Sequence, residues 1–320
     1  MIVDLLPSEE QQLIDDSVRA LLAERLPVER LRETASHGGA AERAAWGDFV
    51  ALGLFGIGIA EADGGHGLGA AEEALVARAL GRHLVSLSVL AQMAAPHLAT
   101  DDALRTRLIS GETRATFATV VDQGTAQRID GDNADWLILL GEGVALVDVP
   151  AEAAPIACLD ETVSLARLDG SFPAFERADS ADRISLLLAA YLSGIAQATL
   201  DMAVAYAATR EQFGQPIGAF QAIKHMCADM AVRGAAAEAQ VLHAAVAFGA
   251  GLDDRAEVAC ARLLATDAAL RNANANIQIH GAMGFTAECD AHLYLKRARL
   301  VSVLGSSRQA EQERLLAGVA

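Results

Sequence analysis

Between Tyr206 and Met230 the chain passes through Arg210, Phe213, Gly214, Pro216, Phe220 and Gln221, residues whose types and spacing could do chemistry. The alanine-rich stretch before Arg210 reads as the end of one helix, Phe213-Gly214 breaks it, and Pro216 suits the opening of the next. From Phe220 the apolar residues Ile223, Met226, Cys227 and Met230 recur at helical spacing and mark one face. Such an elbow presents a cation, a flat apolar surface and an amide close to a helix start. That set suits a nucleotide pyrophosphate attached to an aromatic ring system. The same residues also describe a plain loop between two bundle helices, with a surface arginine and a core phenylalanine.

The elements that must position this elbow follow from composition and pattern. A chain of 320 residues with 52% hydrophobic side chains can bury a large core and divide into two or three domains. Aromatics make up only 4% while Ala and Leu dominate, which favours helices. A net charge of −17 argues against nucleic acid or an anionic membrane as partner and is otherwise what solubility asks for. Cys158, Cys227, Cys260 and Cys289 are scattered without metal-ligand spacing and read as buried, reduced thiols of a cytoplasmic protein. Met1 to Pro7 has neither the basic flank nor the apolar run of a signal peptide. Leu186 to Ala208 is long enough to cross a bilayer, but Ser193, Gln197, Thr199 and Asp201 interrupt it, and a buried bundle helix explains it better.

Three regions are expected: residues 1–113 helical, 114–180 a reduced β domain, 181–320 a helical bundle. In the first, Ser8 and Gln11 form a capping box for a helix Glu9–Leu26, and helices follow over Ala70–Gly81, Val85–Ala99 and Asp102–Ile109. The glycines between Gly56 and Gly69 have no flanking Lys or Arg and fit no phosphate-loop pattern. In the second, Ala115–Val121, Trp136–Leu140, Val144–Asp148 and Val163–Leu168 are short β-type runs bounded by turn residues. The third reads as helices Asp182–Arg210, Ile217–Gly249, Asp253–His280 and a last set from Cys289 to Leu316.

The stretch Arg210-x-x-Phe213-Gly214-x-Pro216-Ile217-x-x-Phe220-Gln221-x-Ile223-Lys224-x-x-x-Ala228-Asp229-Met230 resembles the signature of the acyl-CoA dehydrogenase family of flavoenzymes. Gln278-Ile-His280-Gly281-Ala282-Met283-Gly284-Phe285-Thr286 resembles the family's Gln-x-x-Gly-Gly-x-Gly-Phe-Thr segment. The loop Glu61-Ala-Asp-Gly64-Gly65-His66-Gly67 resembles its Pro-Glu-x-x-Gly-Gly-x-Gly connection, with Ala60 in place of the proline. The resemblance implies a helical N-terminal domain, a β domain and a four-helix bundle that makes the subunit interface. It implies FAD as cofactor. Arg210, Phe213, Gln221, Gln278, Gly281 and Ala282 would contact the adenosine and pyrophosphate of an FAD held mainly by a neighbouring subunit.

The family's catalytic machinery has no counterpart in this sequence. Its Thr-Glu-Pro-x-x-Gly-Ser and Trp-Ile-Thr-Asn-Gly segments around the flavin ring are absent, and Trp136, in a different context, reads as core. Removal of the α-proton of a thioester needs a carboxylate base. The two positions where the family places that Glu match Gly305 and Ile184, and an arginine that contacts CoA in some members matches Leu186. Asp182 and Glu311 lie near enough in sequence to substitute as base but read first as solvated groups at helix ends, and His280 and His225 read as satisfied core histidines before interface or cofactor contacts. The combination resembles the short, non-catalytic subunit of heteromeric acyl-CoA dehydrogenases of bacterial steroid degradation. It implies a longer catalytic homologue as partner, an acyl-CoA substrate and an electron-accepting flavoprotein. A self-sufficient homo-oligomer with an unconventional base and a flavin-free helical scaffold are the alternatives.

Overall fold

The computed structural model describes residues 5–122, 124–141, 143–150, 152–170, 172–173, 175, 179–250 and 255–317. Expectations for Met1 to Asp4 and for the helix start at Asp253 lie outside the described residues. The N-terminal region holds α1 (Glu9–Arg25), α2 (Ala40–Ala44), α3 (Trp46–Ala51), α4 (Ala70–Arg82), α5 (Leu87–Ala94) and α6 (Asp102–Ile109). The expected capping box opens α1: the Gln11 N–H donates to Ser8 Oγ at 3.2 Å, and the Ser8 N–H to Gln11 Oε1 at 2.9 Å. The helix expected over Val85–Ala99 is shorter. Ser86 caps α5, and Ala95–Leu98 tightens to a 3-10 turn at Pro96, which has no N–H to give to an α-helix.

The middle is one six-stranded sheet, not the four runs legible in the sequence. β1 (Ala115–Asp122), β2 (Thr125–Ile129), β3 (Trp136–Leu140), β4 (Val144–Asp148), β5 (Ala154–Ile156) and β6 (Leu165–Asp169) lie in the order β4-β3-β1-β2-β6-β5. β1 and β3 are parallel and the other neighbours antiparallel. Alternation sorts the side chains: Phe117, Ile129, Ile138 and Leu140 join the main core, while Ala118, Ala126, Leu137, Leu139 and Leu168 form a separate cluster. Trp136 is half-buried against the main core, as expected of a packing residue.

The bundle comprises α7 (Asp179–Thr209), α8 (Gln221–Gly249), α9 (Arg255–His280), α10 (Ala291–Ser302) and α11 (Arg308–Ala317). At 31 residues, α7 is about 45 Å long and forms the middle of the bundle. It is apolar enough to cross a membrane, yet 72% of its most apolar window is buried inside the fold. Asn272 fixes the register of three helices. Its Nδ2 donates to Ala196 O at 3.1 Å and Met230 O at 3.0 Å, and its Oδ1 accepts from Arg233 Nε at 3.0 Å.

Two of the contacts that join the regions rest on close backbone approach and on a buried charge. α4 crosses α7 at reciprocal glycines: a Cβ on Gly81 would collide with the Tyr191 carbonyl, and one on Gly194 with the Arg78 carbonyl. Both obstacles are helix backbone, which cannot swing away, so Gly81→Ala should destabilise the fold by about 1–3 kcal/mol through forced helix separation. Urea denaturation measures this, and an unchanged midpoint would contradict the crossing. The second contact is Arg297, buried on α10. Its Nε donates to Asp160 Oδ2 at 2.7 Å and its Nη2 to Thr162 Oγ1 at 2.9 Å. Its Nη1 reaches Leu84 O at 3.0 Å, Val85 O at 3.2 Å and the Tyr191 hydroxyl at 2.9 Å. Burial opposes the charge, but Tyr191, Asp160 and Asp130 together hold the guanidinium pKa above its usual value.

Candidate cofactor-binding elbow

Alanines carry α7 to Thr209, and the helix stops where Arg210 leads into a two-residue hairpin. Glu211 pairs with Pro216 and Gln212 with Gln215, leaving Phe213 and Gly214 at the tip with φ of 55° and 80°. Two consecutive positive φ values are the pattern of a type I′ turn. The expectation of a helix break followed by a helix from Ile217 is thus corrected. The break is a β-turn, Ile217–Ala219 is a 3-10 turn, and α8 begins at Gln221. The Arg210 peptide ties the elbow together, its N–H donating to Tyr206 O at 2.8 Å and its carbonyl accepting from the Ile217 N–H at 2.7 Å.

The turn also decides what Phe213 does. At 94% exposure it is not a core residue; its ring meets Phe220 edge-on, with centroids 6.2 Å apart. A phenylalanine forced to positive φ and left in solvent is strained and unburied at once. The Arg210 guanidinium is exposed and makes no hydrogen bond or ion pair among the described residues, and the Gln221 side chain on the first turn of α8 is also exposed. The elbow therefore offers a free cation, a free amide and a bare aromatic face.

The second segment sits at the end of α9. Gln278 is exposed, α9 ends at His280, Gly281 takes φ 61°, and a 3-10 turn runs Gly281–Phe285. Gly281 and Ala282 are exposed, Met283 is partly so, and Phe285 is 74% exposed. Gly284 is buried because a Cβ there would lie 2.7 Å from Ile277 O. His280 joins the two segments. Its ring stacks on Tyr206 with centroids 4.1 Å apart, and its Nδ1 donates to Asn276 O at 2.9 Å. It is the satisfied core histidine expected from the sequence. His225 is not: it is exposed, because it lies off the face marked by Ile223, Met226 and Met230. Tyr206, one turn before Arg210, is a further residue of the elbow, signalled in the sequence only by a tyrosine near the end of an alanine-rich helix.

Ile184, Leu186 and Gly305 are the residues that the resemblance set against the family's base and CoA-contacting arginine. Ile184 and Leu186 are buried on α7. Gly305 breaks α10 from α11 at φ 79°, and a Cβ there would meet nothing within 4 Å. The nearby carboxylates differ from expectation, since Asp182 and Glu311 are both buried. Asp182 accepts from Arg314 Nη2 at 2.5 Å and lies 3.8 Å from Arg255 Nε. Glu311 lies 3.6 Å from Arg314 Nη1, and among the described residues neither of its oxygens has a hydrogen-bond donor. Arg262 donates Nη2 to Val301 O at 2.6 Å and Leu304 O at 3.0 Å, while its Nη1 has no acceptor. Burial pulls the Arg262 pKa down to about 10, against the upward pull of Glu311. Three arginines thus hold these carboxylates inside, where helix-end position alone suggested solvent.

Residues 8–106 match the acyl-CoA dehydrogenase N-terminal domain, and residues 181–317 the acyl-CoA dehydrogenase C-terminal domain. The chain is 34% identical over 316 residues to acyl-CoA dehydrogenase IpdE2 of Mycobacterium tuberculosis, covering 96% of this chain and 95% of that one. It is 36% identical over 280 residues to acyl-CoA dehydrogenase FadE34 of the same organism, covering 80% of this chain but only 39% of FadE34. Its fold matches the ChsE4-ChsE5 complex from Mycobacterium tuberculosis with a TM-score of 0.82 and 23% identity, covering 99% of each chain. The chain belongs to the acyl-CoA dehydrogenase family, whose cofactor is FAD.

Proposed function

We propose that this chain is a subunit of an acyl-CoA dehydrogenase that supplies interface and FAD contacts while a longer homologous partner supplies the catalytic base. The observation that carries the reading is the contrast between two surfaces. The elbow keeps an unpaired Arg210 with exposed Gln221, Gln278 and Phe213, whereas the base positions hold Ile184 and Gly305. The donor set fits a pyrophosphate: Arg210 would grip phosphate oxygens, Gln221 and Gln278 would donate amide hydrogens, and exposed Gly281 and Ala282 would let the cofactor approach the backbone. When bound, FAD supplies the hydride acceptor for α,β-dehydrogenation of an acyl-CoA thioester. In this chain no carboxylate stands at a matching position to take the α-proton. The exposed Phe213, Met283 and Phe285 suit burial against another subunit. The ChsE4-ChsE5 complex, a heteromer of the same fold, is compatible with such pairing. Reoxidation by an electron-accepting flavoprotein and a cytoplasmic location belong to the same proposal.

Arg210→Ala tests the cofactor role. A charge-assisted contact to phosphate is worth roughly 1.5–3 kcal/mol, so FAD retention in the assembled oligomer should weaken about tenfold or more. Flavin absorbance after gel filtration reads this directly, and undiminished occupancy would remove Arg210 from the site.

A self-sufficient enzyme is the second reading, and Glu311 is what favours it. A buried carboxylate with no hydrogen-bond donor on either oxygen is the kind of dry group that proton abstraction needs. Arg314, 3.6 Å away, opposes it: the carboxylate already has a cationic partner.

A further inference from the structure

Arginines in this acidic chain usually find a carboxylate: Arg30 pairs with Glu42, Arg78 with Asp15 and Arg297 with Asp160. Arg43 and Arg114 do not, although the chain carries 42 acidic residues against 25 basic ones. Neither makes an ion pair among the described residues. Both line one shallow surface depression where the N-terminal helices meet the sheet; Trp46, Ser88, Gly131 and Asn133 belong to its wall.

Each cation is held by something other than an acid. Arg43 Nη1 donates to Gly38 O at 2.7 Å, and the Arg114 guanidinium lies 4.6 Å above the Trp46 ring. The nearby acids are engaged elsewhere. Asp135 accepts from Thr113 Oγ1 at 2.8 Å and the Arg114 N–H at 2.9 Å, and Asp132 accepts from Arg128 at 2.6 Å. The two guanidiniums sense each other: burial first and then the like charge of Arg43 lower the Arg114 pKa, with Asp135 opposing. Holding two cations side by side without a counterion is unfavourable unless an anion completes the site. Asn133 adds an amide to the same wall, while the Ser88 hydroxyl donates to Ser86 Oγ at 2.9 Å, whose own proton goes to Asp130.

We infer that the depression lined by Arg43, Arg114, Ser88 and Asn133 binds a tetrahedral oxyanion, either inorganic phosphate or the phosphate of a small phosphomonoester. Two planar forks with an amide present more donors than a carboxylate can accept, and a phosphate offers oxygens on every side. The ligand would bridge the helical region and the sheet. The site is separate from the elbow and does not rest on the proposed subunit role.

The test is ³¹P NMR titration of the full chain, as purified with its flavin and any partner, with inorganic phosphate and with glycerol 3-phosphate, at constant ionic strength. Saturable binding of either supports the site; equal affinities indicate free phosphate, and tighter glycerol 3-phosphate indicates a phosphomonoester. Arg43→Gln should weaken binding about tenfold or more, and Arg114→Gln should do the same. Arg114→Gln also removes the Trp46 contact, so Asn133→Asp on the exposed loop provides a variant that places a negative charge at the rim without touching the core. It should weaken binding with an unchanged melting temperature. No saturable binding of either probe, or equal binding by wild type, Arg43→Gln and Asn133→Asp, overturns the inference.

Discussion

The chain purified without a partner should oxidise acyl-CoA thioesters about a hundred to ten thousand times more slowly than the assembled enzyme, the usual cost of a missing positioned base. Reduction of a flavin-linked dye under saturating acyl-CoA measures the rate. Adding the longer homologue should restore it, and replacing the partner's glutamate base should abolish it. Within this chain Glu311→Gln and Asp182→Asn should leave the rate per folded assembly nearly unchanged. They should not be silent for stability, because each removes a buried partner of Arg314. Brisk turnover by the isolated chain that Glu311→Gln stops would establish the self-sufficient enzyme instead.

Arg297→Met should destabilise the chain by about 3–5 kcal/mol, the cost of stranding a buried charge. Asp160, itself buried, loses its countercharge, and the carbonyl of Leu84 loses a donor. The Tyr191 hydroxyl still donates to Val85 O at 2.8 Å, so part of the local network survives. Guanidinium denaturation gives the loss. The double variant Arg297→Met with Asp160→Leu should recover part of it, since Asp160 is no longer stranded while buried Asp130 still loses the charge of Arg297. A single variant within 1 kcal/mol of wild type would mean the pair is wetter than its burial implies.

Local signals account for most of what is legible in the sequence. α6 at Asp102–Ile109, β3 at Trp136–Leu140 and β4 at Val144–Asp148 have the expected bounds because apolar runs there are closed by turn or capping residues. β2 is obscured by Gln127 and Arg128, which sit on a strand paired on both sides but partly exposed, and β5 is three residues long with a proline. At the elbow, residue types point to the right chemistry, but whether Phe213 faces core or solvent depends on a turn whose sign of φ the residues do not announce. The burial of Asp182 is beyond local reading, since its principal partner Arg314 lies 132 positions along the chain. Arg297 is hidden for the same reason; its acceptors at Leu84 and Asp160 lie 213 and 137 positions away.

The two bare rings at Phe213 and Phe285 also bear on how unpartnered copies of the chain behave toward one another. Apolar rings attract their like at short range, while a net charge of −17 repels at longer range. The repulsion reaches about 10 Å at 0.1 M salt and only about 3 Å at 1 M. The attraction does not weaken with salt in this way. Unpartnered copies are therefore kept apart by their charge rather than by a polar skin over the elbow. Rising ionic strength draws them together, the reverse of what an interface built from ion pairs would do.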